Sequence, residues 1–542
     1  MRISSVRNYR LRHHRQQIRS VIAHLIVALR VVRLTGAVGL GCIVALGAAH
    51  SVRAQDPPAV DQLLEILRRN RQISPQQYQD LKNKAEQERQ EDLKKAAAPP
   101  PVVAAPRPAL VATAPSPSPD TLRAYFKNGF NLETADGNYK LVLGSFTQLD
   151  SAVADPGASV KRHFSLTGTS TGAEFRRARL YVAGLVYGNI DFKFEYDFAE
   201  QTGGQPSFKD VYIGMNQIPV LQYVRVGHFK EPFSLEELVL DAFTTFQERS
   251  LANAFALPVT NFVTTPAGVA TTTSGTDRNT GIAAYQNFLQ QRMTTAAGAF
   301  RLADNFGDGF GSDSPYDIAA RITGLPLYDT GGQNLLHLGF SYSHKFRHYA
   351  KDSPETIGFA SRPEAHLFPV NLVSTGNVNT NGADLLNPEV SLVTGPFSVQ
   401  GEYTWALVDQ SNLNCTGTPL TCKTTQHSNP QFGGGYIEAS YFLTGESRAS
   451  FYKTQVGYYD RIIPNHNFAI DGSHWGAWQV AARYSYLDLN SASVKGGALD
   501  DITGGINWYL NPVTRITLNY IWAHRESVGD SNVVEARFQL VF

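Results

Sequence analysis

Residues 190–198 read Ile190-Asp191-Phe192-Lys193-Phe194-Glu195-Tyr196-Asp197-Phe198. Large apolar side chains alternate with charged ones at a period of two, which is a β-strand with unlike faces. The pattern returns in 515–522, where Ile516, Leu518, Tyr520 and Trp522 oppose Arg515, Thr517 and Asn519, with Ile521 as the exception. It returns again in 479–486, 506–511 and 534–542. A soluble sandwich turns its apolar face to a second sheet, whereas a membrane barrel turns it to lipid and its polar face to a wet lumen. Aromatics at strand ends favour the barrel. So do short joins such as Asn511-Pro512, set against long Gly/Thr/Asn-rich stretches at 303–314 and 411–430, and a final strand ending in Phe542.

Composition agrees. Charged residues are only 18% of 542 against 42% hydrophobic, which excludes a mainly disordered chain. Three cysteines exclude a disulfide-dense scaffold. A formal net charge of +1 gives no footprint for nucleic acid.

Four regions follow. Residues 1–54 hold nine arginines and no acid, then an apolar run from Leu34 to Ala49 and Ser51-Val52-Arg53-Ala54, and read as a secretory leader. Without those arginines the net charge is −8. Residues 55–95 carry a thin apolar stripe at helical spacing (Val60, Leu63, Leu64, Leu67, then Tyr78, Leu81, Ala85), expected to be a periplasmic coiled-coil segment. Residues 96–119 are an Ala/Pro-rich spacer. Residues 120–542 are the expected all-β transmembrane barrel.

Its clear strand segments are 139–150, 174–187, 189–199, 207–219, 221–232, 280–289, 292–303, 315–326, 334–346, 384–394, 396–409, 431–444, 475–490, 498–511, 514–526 and 532–542, with weaker ones at 366–376 and 448–460. About sixteen antiparallel strands leave room for an aqueous lumen.

Residues 174–198, residues 225–237 (Arg-Val-Gly-His-Phe-Lys-Glu-Pro-Phe-Ser-Leu-Glu-Glu), Thr244-Thr245-Phe246-Gln247-Glu248-Arg249-Ser250, Phe442-Leu443-Thr444-Gly445-Glu446 and Asn507-Trp508-Tyr509-Leu510-Asn511-Pro512 resemble the phosphate-selective porins O and P. The resemblance implies a trimeric sixteen-stranded outer-membrane porin with an inward-folded third loop, and a ladder of Arg and Lys that guides an anion. The connection 233–279 is the loop expected to fold inward. Matching by motif, Arg177, Arg179, Arg225, Lys230 and Arg249 are the anion-path candidates. Lys193 joins them from its strand face, and Lys209, Arg483, Arg515 and Arg537 are further cations. Guanidinium suits oxyanions because its planar fork donates two parallel hydrogen bonds.

The charge balance pulls the other way. From residue 120 onward there are 30 Lys+Arg and 39 Asp+Glu, so weak selectivity is the alternative. A second alternative makes residues 55–119 a tether between outer membrane and cell wall. Cys415 and Cys422 share one loop and are expected to pair in an oxidising compartment. No Walker A or HExxH motif occurs, and neither catalytic residues nor a cofactor or metal is expected. The expected partners are phosphate or other small anions, outer-membrane lipid, two further copies in a homotrimer, and the barrel-assembly machinery through Phe542.

Overall fold

The computed structural model describes residues 121–542, apart from 200–206, 257–260, 265–269, 274–277, 302–315, 347–355, 412, 417–420, 425–427 and 492, together with positions 76, 79 and 83. Gln76, Gln79 and Asn83 are helical. The leader 1–54, the rest of 55–95 with its expected coiled coil, and the spacer 96–119 lie outside the described residues.

Sixteen antiparallel strands form one ring: β1 (Lys140–Pro156), β2 (Ser170–Val186), β3 (Ile190–Asp197), β4 (Ser207–Ile218), β5 (Gln222–Phe229), β6 (Asn279–Phe288), β7 (Met293–Arg301), β8 (Tyr316–Tyr328), β9 (Asn334–Phe346), β10 (Val378–Thr394), β11 (Phe397–Gln410), β12 (Gln431–Phe442), β13 (Ala477–Ser491), β14 (Val494–Asn511), β15 (Thr514–Arg525) and β16 (Gly529–Val541). Each strand pairs with the next, and β16 returns to β1. Each clear segment of the sequence falls on one of these strands. The weaker segments 366–376 and 448–460 do not join the ring; they lie in the connections 347–377 and 443–476.

One end carries the short turns 187–189, 219–221, 289–292, 329–333, 395–396 and 512–513, which marks it as the periplasmic end. The connection 443–476 is the long exception there. The other end carries the long connections, including 157–169, 230–278 and 347–377.

The alternation read from sequence sorts the two faces. Leu518 and Tyr520 are 48% and 49% exposed on the outside, while Thr517 and Asn519 are 1% exposed inside. The expectation of a polar inner face holds only midway along the wall. Toward the long-connection end the inward residues become apolar: Leu385, Val408, Leu487 and Ile521 pack against Phe255, Phe359 and Phe368 from the connections. Ile521 breaks its strand's pattern because it faces this internal core, not lipid. At the periplasmic end Leu235, Val239, Leu335 and Val393 meet Tyr452 and Tyr459 of 443–476 in a second apolar cluster.

The seam between first and last strands is held by main chain. Ser145 N–H donates to the Phe542 carbonyl at 2.8 Å, and Phe542 N–H donates to Ser145 at 2.9 Å. The Tyr181 hydroxyl also donates to the Phe542 carbonyl, at 3.1 Å. Where β16 stops, a hairpin of Leu122–Phe126 and Phe130–Thr134 takes over the edge of β1, pairing Phe130 with Leu143 and setting Phe126 and Phe130 against the Phe542 ring. Gly144 makes this close approach possible: a Cβ there would lie 2.1 Å from the Tyr181 ring and 2.4 Å from the Phe542 carbonyl oxygen. The ring can swing aside, but the carbonyl is tied into the seam. Gly144→Val should therefore cost on the order of 1–3 kcal/mol through overpacking and lower the heat-modifiable folded fraction on a detergent gel. A folded fraction equal to the parent's would show that the seam tolerates a side chain at 144.

Candidate ion path

Between the two apolar clusters lies a layer of charge, and residues 230–256 run through it. They enter after Pro232 and form one helical turn, Leu235–Leu238. Ser234 caps it, accepting from Glu237 N–H at 3.2 Å. The wall supplies a second cap: Glu402 of β11 accepts from the N–H groups of Leu235 at 3.0 Å and Glu236 at 2.7 Å. First-turn amides lack intrahelical partners, so a carboxylate there fixes the segment to the wall.

Asp241, three residues past the turn, sits among three guanidinium groups. Arg177 lies 2.9 Å away, Arg179 3.2 Å and Arg249 2.5 Å, and the Asp241 side chain is 2% exposed. Burial pushes its carboxyl up, but Arg177, Arg249, Lys230 and Arg179 outweigh burial and hold it well below the ordinary value. Glu248 is the second focus. Arg176 grips it with two bonds of 3.0 and 3.1 Å, and Arg537 reaches it at 2.7 Å while also binding Asp150 at 2.6 Å. Burial raises the Glu248 carboxyl, and Arg176, Arg537 and Arg177 override it to hold it well below the usual range.

The remaining sequence candidates fall into the same layer. Arg179 also binds Asp197 at 2.7 Å and Glu195 at 3.4 Å. Lys193 bridges Glu195 and Asp210. Lys230 pairs with Glu237 at 2.9 Å. Arg249 reaches Glu237 at 3.3 Å and donates to the carbonyls of Glu236, Glu237 and Val239. Arg483 joins Glu236 to Glu364 of the connection 347–377. Arg515 donates to the Thr244 carbonyl at 2.7 Å, and Lys209 is buried in the wall.

Arg225 differs. Its guanidinium lies 4.0 Å from the Tyr212 ring centre and within 5.3–5.4 Å of Tyr223, Phe229 and Tyr285. Its Nε donates to the Tyr223 hydroxyl at 3.1 Å. Among the described residues no carboxylate lies within ion-pair reach of it. Aromatic faces stabilise a cation without neutralising it, by about 0.5–2 kcal/mol.

Sequence reasoning missed the acids that organise the layer: Asp241, Glu248, Glu402 and Glu364. It also missed a second filling element. The connection 443–476 enters from the periplasmic end, where Arg321 of β8 donates to the carbonyls of Val456 and Gly457 at 3.3 and 2.8 Å. Tyr452 there bonds His337 Nδ1 at 2.6 Å, and Glu389 accepts from Arg321 at 2.9 Å. The aromatic and basic residues of 448–461 were its available signal. The two cysteines lie on a small hairpin, Leu413–Thr416 with Thr421–Thr424, where Cys415 and Cys422 are direct backbone partners.

A closed sixteen-stranded barrel with an apolar outer face and a charged inner layer is the architecture of an outer-membrane channel. The chain belongs to the phosphate-selective porin O and P family, whose sequence profile matches residues 159–542. It is 23% identical to Porin O of Pseudomonas aeruginosa over 440 residues, covering 75% of this chain and 88% of that protein. It is 27% identical over 423 residues to an uncharacterized protein of Caulobacter vibrioides, covering 77% and 73%. Among solved structures it resembles an anion-selective porin from Comamonas acidovorans, with a TM-score of 0.44 and 11% identity over 74% of this chain and all of that one.

Replacing Arg537 by Ala leaves Asp150 and Glu248 short of a cation inside the barrel. Breaking a buried pair in this way costs about 3–5 kcal/mol, to be read as a lower denaturant midpoint in detergent; an unchanged midpoint would remove Arg537 from the supports of the layer. The pH dependence has a definite sign. The depressed Asp241 and Glu248 stabilise fully above the unfolded values of about 3.9 and 4.3. That contribution falls away below those values as pH approaches the lower folded ones, so Asp241 and Glu248 add no slope between neutral pH and about pH 5, and a melting-temperature titration of Asp241→Asn should run parallel to the parent's over that range.

Proposed function

We propose that this porin is a passive channel for small anions, with phosphate or polyphosphate as the favoured solute. The observation that carries this reading is Arg225, a cation on the barrel wall held by aromatic rings with no carboxylate in reach among the described residues. Arg177, Arg179, Lys193, Lys230 and Arg249 form the rest of the proposed path, and residues 230–256 act as its constriction. The family supports the assignment of solute class. By the same likeness we propose a homotrimer, recognition of Phe542 by the assembly machinery, and a periplasmic place for residues 55–95.

A second reading, a weakly selective porin for small hydrophilic solutes, rests on Asp241. It sits amid three of the candidate arginines and cancels part of their field. The two readings part in a planar bilayer. Reversal potential under a KCl gradient should show anion preference, and phosphate should block chloride current. Arg225→Ala should shift the reversal potential toward zero, and Asp241→Asn should shift it further toward anions. Cation preference with no phosphate block would decide for the general porin.

Cys415 and Cys422 are proposed to form a disulfide, since directly opposed strand residues have the Cα spacing such a bond needs. Denatured, unreduced protein should then take up no maleimide at either position; labelling of both would reject the bond.

A further inference from the structure

The connection 443–476 has two parts. Residues 448–461 lie inside the barrel, tied to Arg321, to His337, to Ser391 through Tyr459 at 2.7 Å, and to the carbonyls of Pro512 and Val541 through Arg461 at 2.8 and 2.6 Å. Ile462 is still buried. From Ile463 the chain turns outward over the rim. Phe468 N–H donates to the Leu510 carbonyl at 2.6 Å, and its ring meets Trp508 edge-on at 5.3 Å.

Trp478 of β13 and Trp508 of β14 are cross-strand partners stacked 5.1 Å apart. They share the outer face of Val480 and Ile506, which are 37% and 44% exposed on the lipid side. Both indole N–H groups donate to one acceptor, the Trp475 carbonyl, at 3.2 and 2.7 Å. The polar handles of two rim tryptophans are thus satisfied by the strap.

The tip of the strap is built the same way. Ala469 N–H donates to the His474 carbonyl, Gly472 N–H to the Ala469 carbonyl, and Ser473 gives both its N–H and its hydroxyl to Asp471. Beside these internally closed groups stand Ile470 at 96% exposure, Trp475 at 64% and Ile463 at 48%. Three main-chain N–H groups closed within the strap, apolar side chains projecting outward, and continuity with the lipid-facing belt suit a place in the membrane interface.

We propose that residues 463–476 are a phospholipid anchor, seated in the periplasmic leaflet through Ile470 and Trp475, and that this anchor holds the lumen-filling residues 448–461 in place. The chain is continuous between the two parts, so freeing the outer one slackens the inner one.

The test uses the full chain in phosphatidylethanolamine/phosphatidylglycerol vesicles, its cysteines replaced by serine and an environment-sensitive fluorophore placed at Ile470→Cys. The expected result is blue-shifted emission that is quenched when the acyl chains carry bromine. A label at Gly331→Cys, on the short turn 329–333, should stay in water and unquenched. Water-like emission at 470 overturns the anchor. A blue shift without bromine quenching that vanishes on dissociation to monomers also overturns it, since a second copy is then the occupant. In single-channel recordings Ile470→Asp should increase open-channel current noise with no change in the melting temperature of the barrel. Noise equal to the parent's would refute the coupling of anchor to lumen.

Discussion

Hydrocarbon offers no hydrogen-bond partner, so a sheet that crosses it cannot leave an edge. Everything else in this molecule depends on that requirement being met at one place, where Phe542 and Ser145 exchange main-chain hydrogen bonds and the hairpin 122–134 continues the edge below them. Gly144 serves the same end by giving up its side chain to the approach of Phe542. Once the ring is shut, the wall is rigid enough to hold fixed charges on its inner face.

Those charges form a middle stratum between two apolar ones. Toward the outside, Phe255, Phe359 and Phe368 fill the barrel with an ordinary hydrophobic core. Toward the periplasm, Tyr452 and Tyr459 do so with aromatic rings. In the middle, wall arginines are matched to carboxylates carried on residues 230–256. Arg177 and Arg179 with Asp241, Arg176 and Arg537 with Glu248, and Arg483 with Glu236 join strands to that connection, so the electrostatics that would act on a solute also fix the shape of the passage. Binding strength and passage geometry cannot be varied independently in such a layer.

The ring was legible from sequence because alternation is a local signal. Ile190–Phe198 announces its strand from nine residues. Ile521 was legible only as an exception, since its reason lies in Phe255 and other residues far along the chain. The same distance hid the ion partners: Arg177 and Asp241 lie 64 positions apart, and no pattern in either segment specifies their meeting. Residues 448–460 looked like a weak strand because their aromatics are spaced to pack, and they pack inside the ring, not within it. The candidate cations could be named by motif, but the carboxylates that meet Arg177, Arg179, Lys193, Lys230 and Arg249 are a tertiary fact.

The pairing of Val541 with Phe146 has a consequence for the order of folding. The two residues stand at opposite ends of the barrel sequence, so joining them costs more loop entropy than any hairpin in the ring. Contacts of that span form slowly and late. The charged layer straddles that seam: Arg537 of β16 binds Asp150 of β1 and Glu248 of the connection, while Arg176, Arg177 and Arg179 of β2 hold Glu248 and Asp241. Closure is therefore also the step that completes the charged layer, and the final strand works as a clasp that locks the contents as it shuts the wall.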